Sequence, residues 1–371
     1  MKVGILHVTH DVAMGGGERV LLSLIDGFKR EGWGVKLVMW TGTDSPTYDD
    51  VTKYFESGAR PDQIVSFAFP EDGLLSSLRR YFTYRKIARE FEGCDAVVRL
   101  SGYPWFSSFI KARSYCYVQT FPTTPQRLRS KDSGSLVGRL LLGGLYKRSG
   151  SNVRFVAVSK YVKEGVESVW KQPSIVIPPP VDSEHFRGLA QKYNGKRIRR
   201  RIVSIGRFAQ SKNHVEQLEI ISSLARKETG WSLSMVGSAT DPKSKMIVEQ
   251  LSKSLDQRGI KGSASIFVSS SAKETDAELG TAEYLLHTGQ REGFGIVIAE
   301  AVYAGCIPVV PRMGGAAELV SKDLQFSSVE EAVGIFERLA TGWRPASVFT
   351  EEIDYGEGAF QNRWIQLLSP R

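Results

Sequence analysis

The sequence predicts an α/β protein made of two doubly wound units, each with a mainly parallel sheet. Three observations predict it. Short apolar runs alternate with helical patterns along nearly the whole chain, and a glycine-containing loop follows the first apolar run of each half. The chain's 371 residues also exceed one ordinary core and suggest about two domains.

Val3 to Val8 is the first apolar run and reads as a strand. After it come the loop His10-Asp11-Val12-Ala13-Met14-Gly15-Gly16-Gly17, a helical pattern from Glu18 to about Arg30, and a strand from Val35 to Trp40. The three glycines allow a ligand to approach the backbone closely, but they do not match G-x-G-x-x-G spacing, so a flexible turn remains the other reading. Further strands are expected at Ala96–Leu100, Ser114–Val118, Phe155–Val158 and Ser174–Ile177. Three consecutive prolines, Pro178 to Pro180, fit neither a helix nor a central strand and mark a rigid exit from the first domain. The second series has strands at Arg201–Ile205, Leu233–Val236, Ala264–Val268, Ala282–Leu286 and Ile307–Val310, and the tail from Gly356 to Leu368 is helical. The expected domains are 1–186, a basic linker over 187–200, a second domain over 201–352, and a C-terminal helix over 353–371.

Charge is unevenly spread. Lys and Arg outnumber Asp and Glu by 25 to 19 in residues 1–186 and by 7 to 0 in 187–201, whereas acids lead by 21 to 17 in 202–371. A basic first half suggests a polyanionic partner, either an anionic membrane surface or nucleic acid. The stretch from Leu136 to Arg148 mixes leucines with Arg139, Lys147 and Arg148, as does a helix lying in a membrane interface. An ordinary helix covering the sheet is the other reading. Nucleic acid is disfavoured because the basic run over 187–201 has almost no interleaved aromatics. Cys94, Cys116 and Cys306 are far apart in apolar settings without metal or redox spacing, which predicts buried free thiols in a reducing compartment. The amino terminus enters a strand pattern without a secretory h-region, and no stretch approaches ~18 uninterrupted apolar residues, so neither secretion nor a spanning helix is expected.

The stretch Gly289-Gln290-Arg291-Glu292-Gly293-Phe294-Gly295-Ile296-Val297-Ile298-Ala299-Glu300 carries the chemistry. It reads as a loop that opens a short helix, whose unpaired N–H groups and positive dipole end suit an anion such as phosphate. Glu292 precedes the opening, and Glu300 sits about 7.5 Å along the helix at ~1.5 Å per residue. One acid on each side of a bound diphosphate can accept hydrogen bonds from flanking hydroxyls. In the loop after Ile205, Arg207 and Lys212 are two cations able to reach such a diphosphate.

These features resemble glycosyltransferase family 4, with its GT-B fold of two doubly wound domains facing across a cleft. Within it they look most like the subgroup of dolichol-linked oligosaccharide α-1,2-mannosyltransferases. The stretches that carry the likeness are Gly15 to Val20, Phe121 to Thr124, Pro178 to Asp182, Lys212 to His214, and His287-Thr288 leading to Glu292 through Ile296 and Glu300. The resemblance implies a retaining transferase that moves a hexose, mannose from GDP-mannose, onto a lipid-linked glycan. It also implies cytoplasmic location, peripheral on the inner face of a membrane. Arg207 and Lys212 would hold the donor diphosphate, and Glu300 the ribose. Glu292, with the backbone at Gly293, Phe294, Gly295 and Ile296, would hold the transferred sugar and distal phosphate. Gly16 and Gly17 would close over the donor, with Gln119 and His287 near the sugar or acceptor. No metal or other cofactor is expected, and the chain has no D-x-D motif. Gln119 departs from the histidine of many relatives and cannot form an imidazolium, which leaves the sugar open. The competing readings are a UDP-sugar-dependent transferase with a soluble acceptor and a non-catalytic binding protein that keeps the fold.

Overall fold

The structure is a computed structural model and describes residues 1–9, 15–42, 45–68, 76–100, 109–122, 153–351 and 353–370. The basic stretch 136–148 and residues 10–14 of the glycine loop lie outside the described residues. The chain divides into two compact units, one of residues 1–180 with 357–371 and one of residues 181–356.

The first unit is a seven-stranded parallel sheet ordered β3-β2-β1-β4-β5-β6-β7. Its strands are β1 (Lys2–Thr9), β2 (Gly34–Thr41), β3 (Gln63–Ala68), β4 (Ala96–Arg99), β5 (Arg113–Val118), β6 (Val153–Ala157) and β7 (Ser174–Val176). Helices α1 (Gly16–Arg30), α2 (Tyr48–Tyr54), α3 (Ser76–Glu90) and α4 (Lys160–Gly165) alternate with them, α4 running on into a π-helical turn over Val166–Trp170. Helix α1 forms because Val20, Leu21, Leu24, Ile25 and Phe28 recur on one face and are all buried. The Glu18 carboxylate accepts from the Gly15 N–H at 2.8 Å, and Lys29 and Arg30 occupy the last turn, so charge matches the helix dipole at both ends. Strand β3 has no counterpart among the sequence expectations. It lies at the sheet edge with most of its side chains exposed or half-buried, so it lacks the apolar run that marks the central strands.

The second unit has a six-stranded parallel sheet ordered β10-β9-β8-β11-β12-β13. Its strands are β8 (Ile198–Ile205), β9 (Ser232–Gly237), β10 (Ala264–Val268), β11 (Ala282–Leu286), β12 (Ile307–Pro311) and the two-residue β13 (Gln325–Phe326). Its helices are α5 (Ser183–Lys192), α6 (His214–Lys227), α7 (Pro242–Arg258), α8 (Ala272–Thr281), α9 (Ile296–Tyr303), α10 (Gly315–Leu319) and α11 (Val329–Ala340). In both sheets the strand order reverses direction beside the first strand, between β1 and β4 and between β8 and β11. Ligands of doubly wound proteins bind at such points, outside the carboxyl ends of the strands.

The expected linker over 187–200 is corrected by the structure: α5 runs to Lys192, β8 starts at Ile198, and the second unit already begins at Val181. Its basic residues are used within the unit. The Arg187 guanidinium lies 4.8 Å from the centre of the Tyr303 ring, and Arg197 donates to the carbonyls of Ala282 and Ala304. Arg200 pairs with Glu228, and Arg201 with Glu278. A run without acids reads as a solvated hinge because its partners are remote in sequence. Val181 bridges Gly356 in parallel, so the chain enters and leaves this unit at adjacent points.

Helix α12 (Glu357–Leu368) belongs to the first unit, where it packs on α1. The Gln361 amide donates to the Ser23 carbonyl at 2.9 Å. Its side chain lies where a β-carbon at Gly27 would intrude at 2.6 Å, so the absence of a side chain there lets α12 approach. Trp364 is fully buried, its ring 5.4 Å from that of Tyr117 and close to perpendicular. A Trp364→Ala variant should therefore lose about 3–5 kcal/mol of stability in denaturant unfolding. A loss below about 1 kcal/mol would show that α12 is not part of this core.

Candidate functional site

In the second unit the site grows from the two loops at the switch point. The first leaves β8 at Gly206 and runs through a 3₁₀ turn, Gln210–Lys212, to Asn213, which precedes α6 in the left-handed region at φ +49°. The second leaves β11 and runs from His287 to Gly295. Gly295 is the N-cap of α9 with φ +89°, a conformation that other residues adopt only under strain. Phe294 is buried, its ring 5.5 Å from that of Tyr355, which anchors the loop just before the helix opens. From behind, the Gly315 N–H donates to the Glu292 carbonyl at 2.8 Å. A β-carbon at Gly315 would lie 2.0 Å from the Gly293 oxygen, so only glycine lets the start of α10 approach this loop so closely.

The loops bring Lys212 and Glu292 together as an ion pair, with each side chain about one-quarter exposed. His287 Nε2 lies 3.6 Å from the same carboxylate oxygen of Glu292. Burial, and then Lys212, push the His287 pKa down to about 4, so the imidazole is neutral at pH 7. Burial opposes ionisation of Glu292, but its neighbours, Lys212 foremost, outweigh it and hold the carboxyl below its ordinary value. The cluster at neutral pH is thus one ammonium, one carboxylate and one neutral imidazole beside the N-terminus of α9. Glu300 sits half-buried on α9 itself.

Arg207 is exposed and acts on Asp241, whose carboxyl is held low first by Ser244 and only in small part by Arg207. The first unit gathers its own predicted residues. A β-carbon on Gly17 would lie 3.7 Å from Gln119 Oε1, and Gln119 Nε2 donates to the Leu100 carbonyl at 3.1 Å. Gly16 opens α1 beside them. Those positions follow β1, β4 and β5, again at carboxyl ends around a switch point.

The sequence reading gave no individual role to several supporting residues. His7 Nε2 lies 3.3 Å from Glu18, both buried, and burial raises the Glu18 pKa less than His7 and the Gly15 N–H lower it. In the second unit, His214 and Gln217 occupy the apolar stripe of α6 with Leu218 and Ile221, all buried. Polar residues at core positions of a helix were the available signal.

The depressed His287 pKa makes stability pH-dependent. The unfolded chain takes up this proton near pH 6.5 and the folded chain only near 4, so stability is present above 6.5 and is lost as pH falls toward 4. Between pH 7 and 4.5 the wild type should lose on the order of 2 kcal/mol more than a His287→Gln variant. Parallel denaturation curves measure this, and equal acid losses in both proteins would refute it.

Two family models match the chain, "Glycosyltransferase Family 4" over residues 14–185 and "Glycosyl transferases group 1" over residues 189–331. A Dictyostelium discoideum protein named "GDP-Man:Man(3)GlcNAc(2)-PP-Dol alpha-1,2-mannosyltransferase" is 23% identical over 432 residues, covering 100% of this chain and 85% of that protein. A Xanthomonas campestris "GDP-mannose:cellobiosyl-diphosphopolyprenol alpha-mannosyltransferase" is 27% identical over 135 residues, 36% of this chain and 33% of its own length. Among solved structures, a glycosyltransferase from Rickettsia africae shares the fold with a TM-score of 0.69 at 15% identity, over 99% of this chain and 98% of that one. Among the described residues, no helix is long and apolar enough to cross a membrane. The two models together account for most of the chain, which belongs to the family 4 glycosyltransferases and has the GT-B fold.

Proposed function

We propose that the chain is a retaining mannosyltransferase, moving mannose from GDP-mannose onto a glycan carried on a polyprenol-type diphosphate lipid, at the cytoplasmic face of a membrane. The observation that carries the donor half of this reading is the Lys212–Glu292 pair held against the opening of α9. The names of two relatives support the choice of GDP-mannose and a lipid-linked acceptor. The excess of basic residues in 1–186 supports an anionic membrane surface as partner.

On this reading Lys212 exchanges Glu292 for the donor diphosphate, assisted by Arg207 and the amides of Phe294, Gly295 and Ile296. Glu292 is thereby released to accept hydrogen bonds from sugar hydroxyls, while Glu300 accepts from the ribose. The bond between the anomeric carbon and the phosphate oxygen breaks with its electron pair passing to the diphosphate. The developing negative charge meets a fixed cation and a helix N-terminus, which take the place of a divalent metal. The acceptor hydroxyl attacks from the face the diphosphate leaves, and its proton passes to the departing phosphate oxygen.

Thermal shift with GDP-mannose, UDP-glucose and UDP-N-acetylglucosamine should single out GDP-mannose, since a ligand at ~100 times its dissociation constant stabilises by about 2.7 kcal/mol. Turnover on a polyprenyl-diphosphate glycan should fall about 100-fold in both Lys212→Ala and Glu300→Ala. Selective stabilisation by a UDP-sugar would reassign the donor. Unchanged donor binding and turnover in both variants would refute the proposed site.

A further inference from the structure

The chain carries Lys212 on a turn with little intrinsic preference for its shape. The 3₁₀ turn ends in Asn213 at φ +49°, a left-handed conformation that asparagine tolerates at some cost. A fully buried side chain from the other loop holds that turn. Thr288 Oγ1 donates to the Lys212 carbonyl at 2.6 Å and lies 3.2 Å from the Asn213 carbonyl. The same hydroxyl accepts from Gln217 Nε2 at 2.9 Å, so its donor and an acceptor site are both used. Gln217 is 1% exposed, and its Oε1 lies 3.3 Å from His214 Nδ1; the other ring nitrogen lies 3.4 Å from the Arg207 carbonyl. Neutral imidazole donates from only one of these nitrogens. Burial, partly offset by Gln217, keeps the His214 pKa below its ordinary value.

From this we infer that Thr288, set by Gln217, is a positioning residue: its hydroxyl fixes the Lys212–Asn213 backbone and so presents the Lys212 ammonium to the distal phosphate of the donor. The inference rests on the donor reading above and goes beyond it, because that reading gives no role to Thr288 or Gln217, both of them buried. Two loops that diverge at the switch point are joined twice, at the surface by Lys212 with Glu292 and inside by Thr288 with the Lys212 carbonyl. The ion pair must open for a phosphate to bind, whereas the buried bond does not. Lys212 therefore keeps its place while it changes partner.

The test measures binding of GDP, UDP, guanosine and uridine to wild type, Thr288→Val, Thr288→Ser, Gln217→Met, Lys212→Ala and the Thr288→Val/Lys212→Ala double variant. Valine keeps the shape of threonine and removes the hydroxyl, and unfolding midpoints check that each variant folds. For whichever diphosphate the wild type binds, Thr288→Val should weaken binding roughly tenfold, the equivalent of 1.4 kcal/mol. Its affinity for the matching nucleoside should stay within twofold. Thr288→Ser should restore diphosphate binding, and Gln217→Met should show a smaller loss of the same kind, which reports on the link even where the valine variant folds poorly. In the Lys212→Ala background the valine substitution should cost nothing further, because the cation it positions is gone. Equal losses for diphosphate and nucleoside, losses additive with Lys212→Ala, or no loss in Thr288→Val would overturn the inference. A wild type that binds neither diphosphate overturns the donor reading itself, and this inference with it.

Discussion

Parallel strands can be joined only by crossovers, so every loop that follows a strand in these sheets emerges at the same edge. Where the winding reverses, between β8 and β11, two such loops part without an intervening crossover and leave room between them. Everything proposed for the donor follows from that constraint. The loop after β8 brings a lysine, and the loop after β11 brings a glutamate and a helix opening. The first loop has only a three-residue 3₁₀ turn and the second neither helix nor strand, so each depends on contacts from outside it.

Those contacts come in three kinds. Phe294 wedges against Tyr355, Gly315 admits the backbone of the Glu292 loop at a distance no side chain allows, and Thr288 ties the turn bearing Lys212 from within. None of the three is an exposed charge pair, whose net worth is small. The visible ion pair can therefore break for a ligand without loosening the site. The low pKa of His287 belongs to the same design: a neutral ring beside Glu292 and Lys212 leaves both charges available to each other.

The first unit repeats the arrangement with different chemistry. Its switch-point loop carries glycines in place of cations, Glu18 is held by His7 and by the Gly15 amide, and Gln119 stands beside Gly17. A glycine loop next to a neutral amide suits close approach to a hydroxylated ligand, and not the gripping of a diphosphate.

Apolar periodicity and glycine placement, which are local, were enough by themselves to determine the alternation of strand and helix, both switch-point loops and the helix opened by Gly295. Lys212 and Glu292, which the structure brings together as an ion pair, were each singled out by a charge beside a glycine loop. Only the tertiary structure decided what the basic run over 187–201 does: Arg197, Arg200 and Arg201 find partners 28 to 107 residues away, which no window of sequence reveals. It likewise placed edge strand β3 and joined Gln217 to Thr288 across 71 residues. Sequence specifies what each segment can bury and where it must turn; which polar groups meet depends on distances that exist only once the sheets are wound.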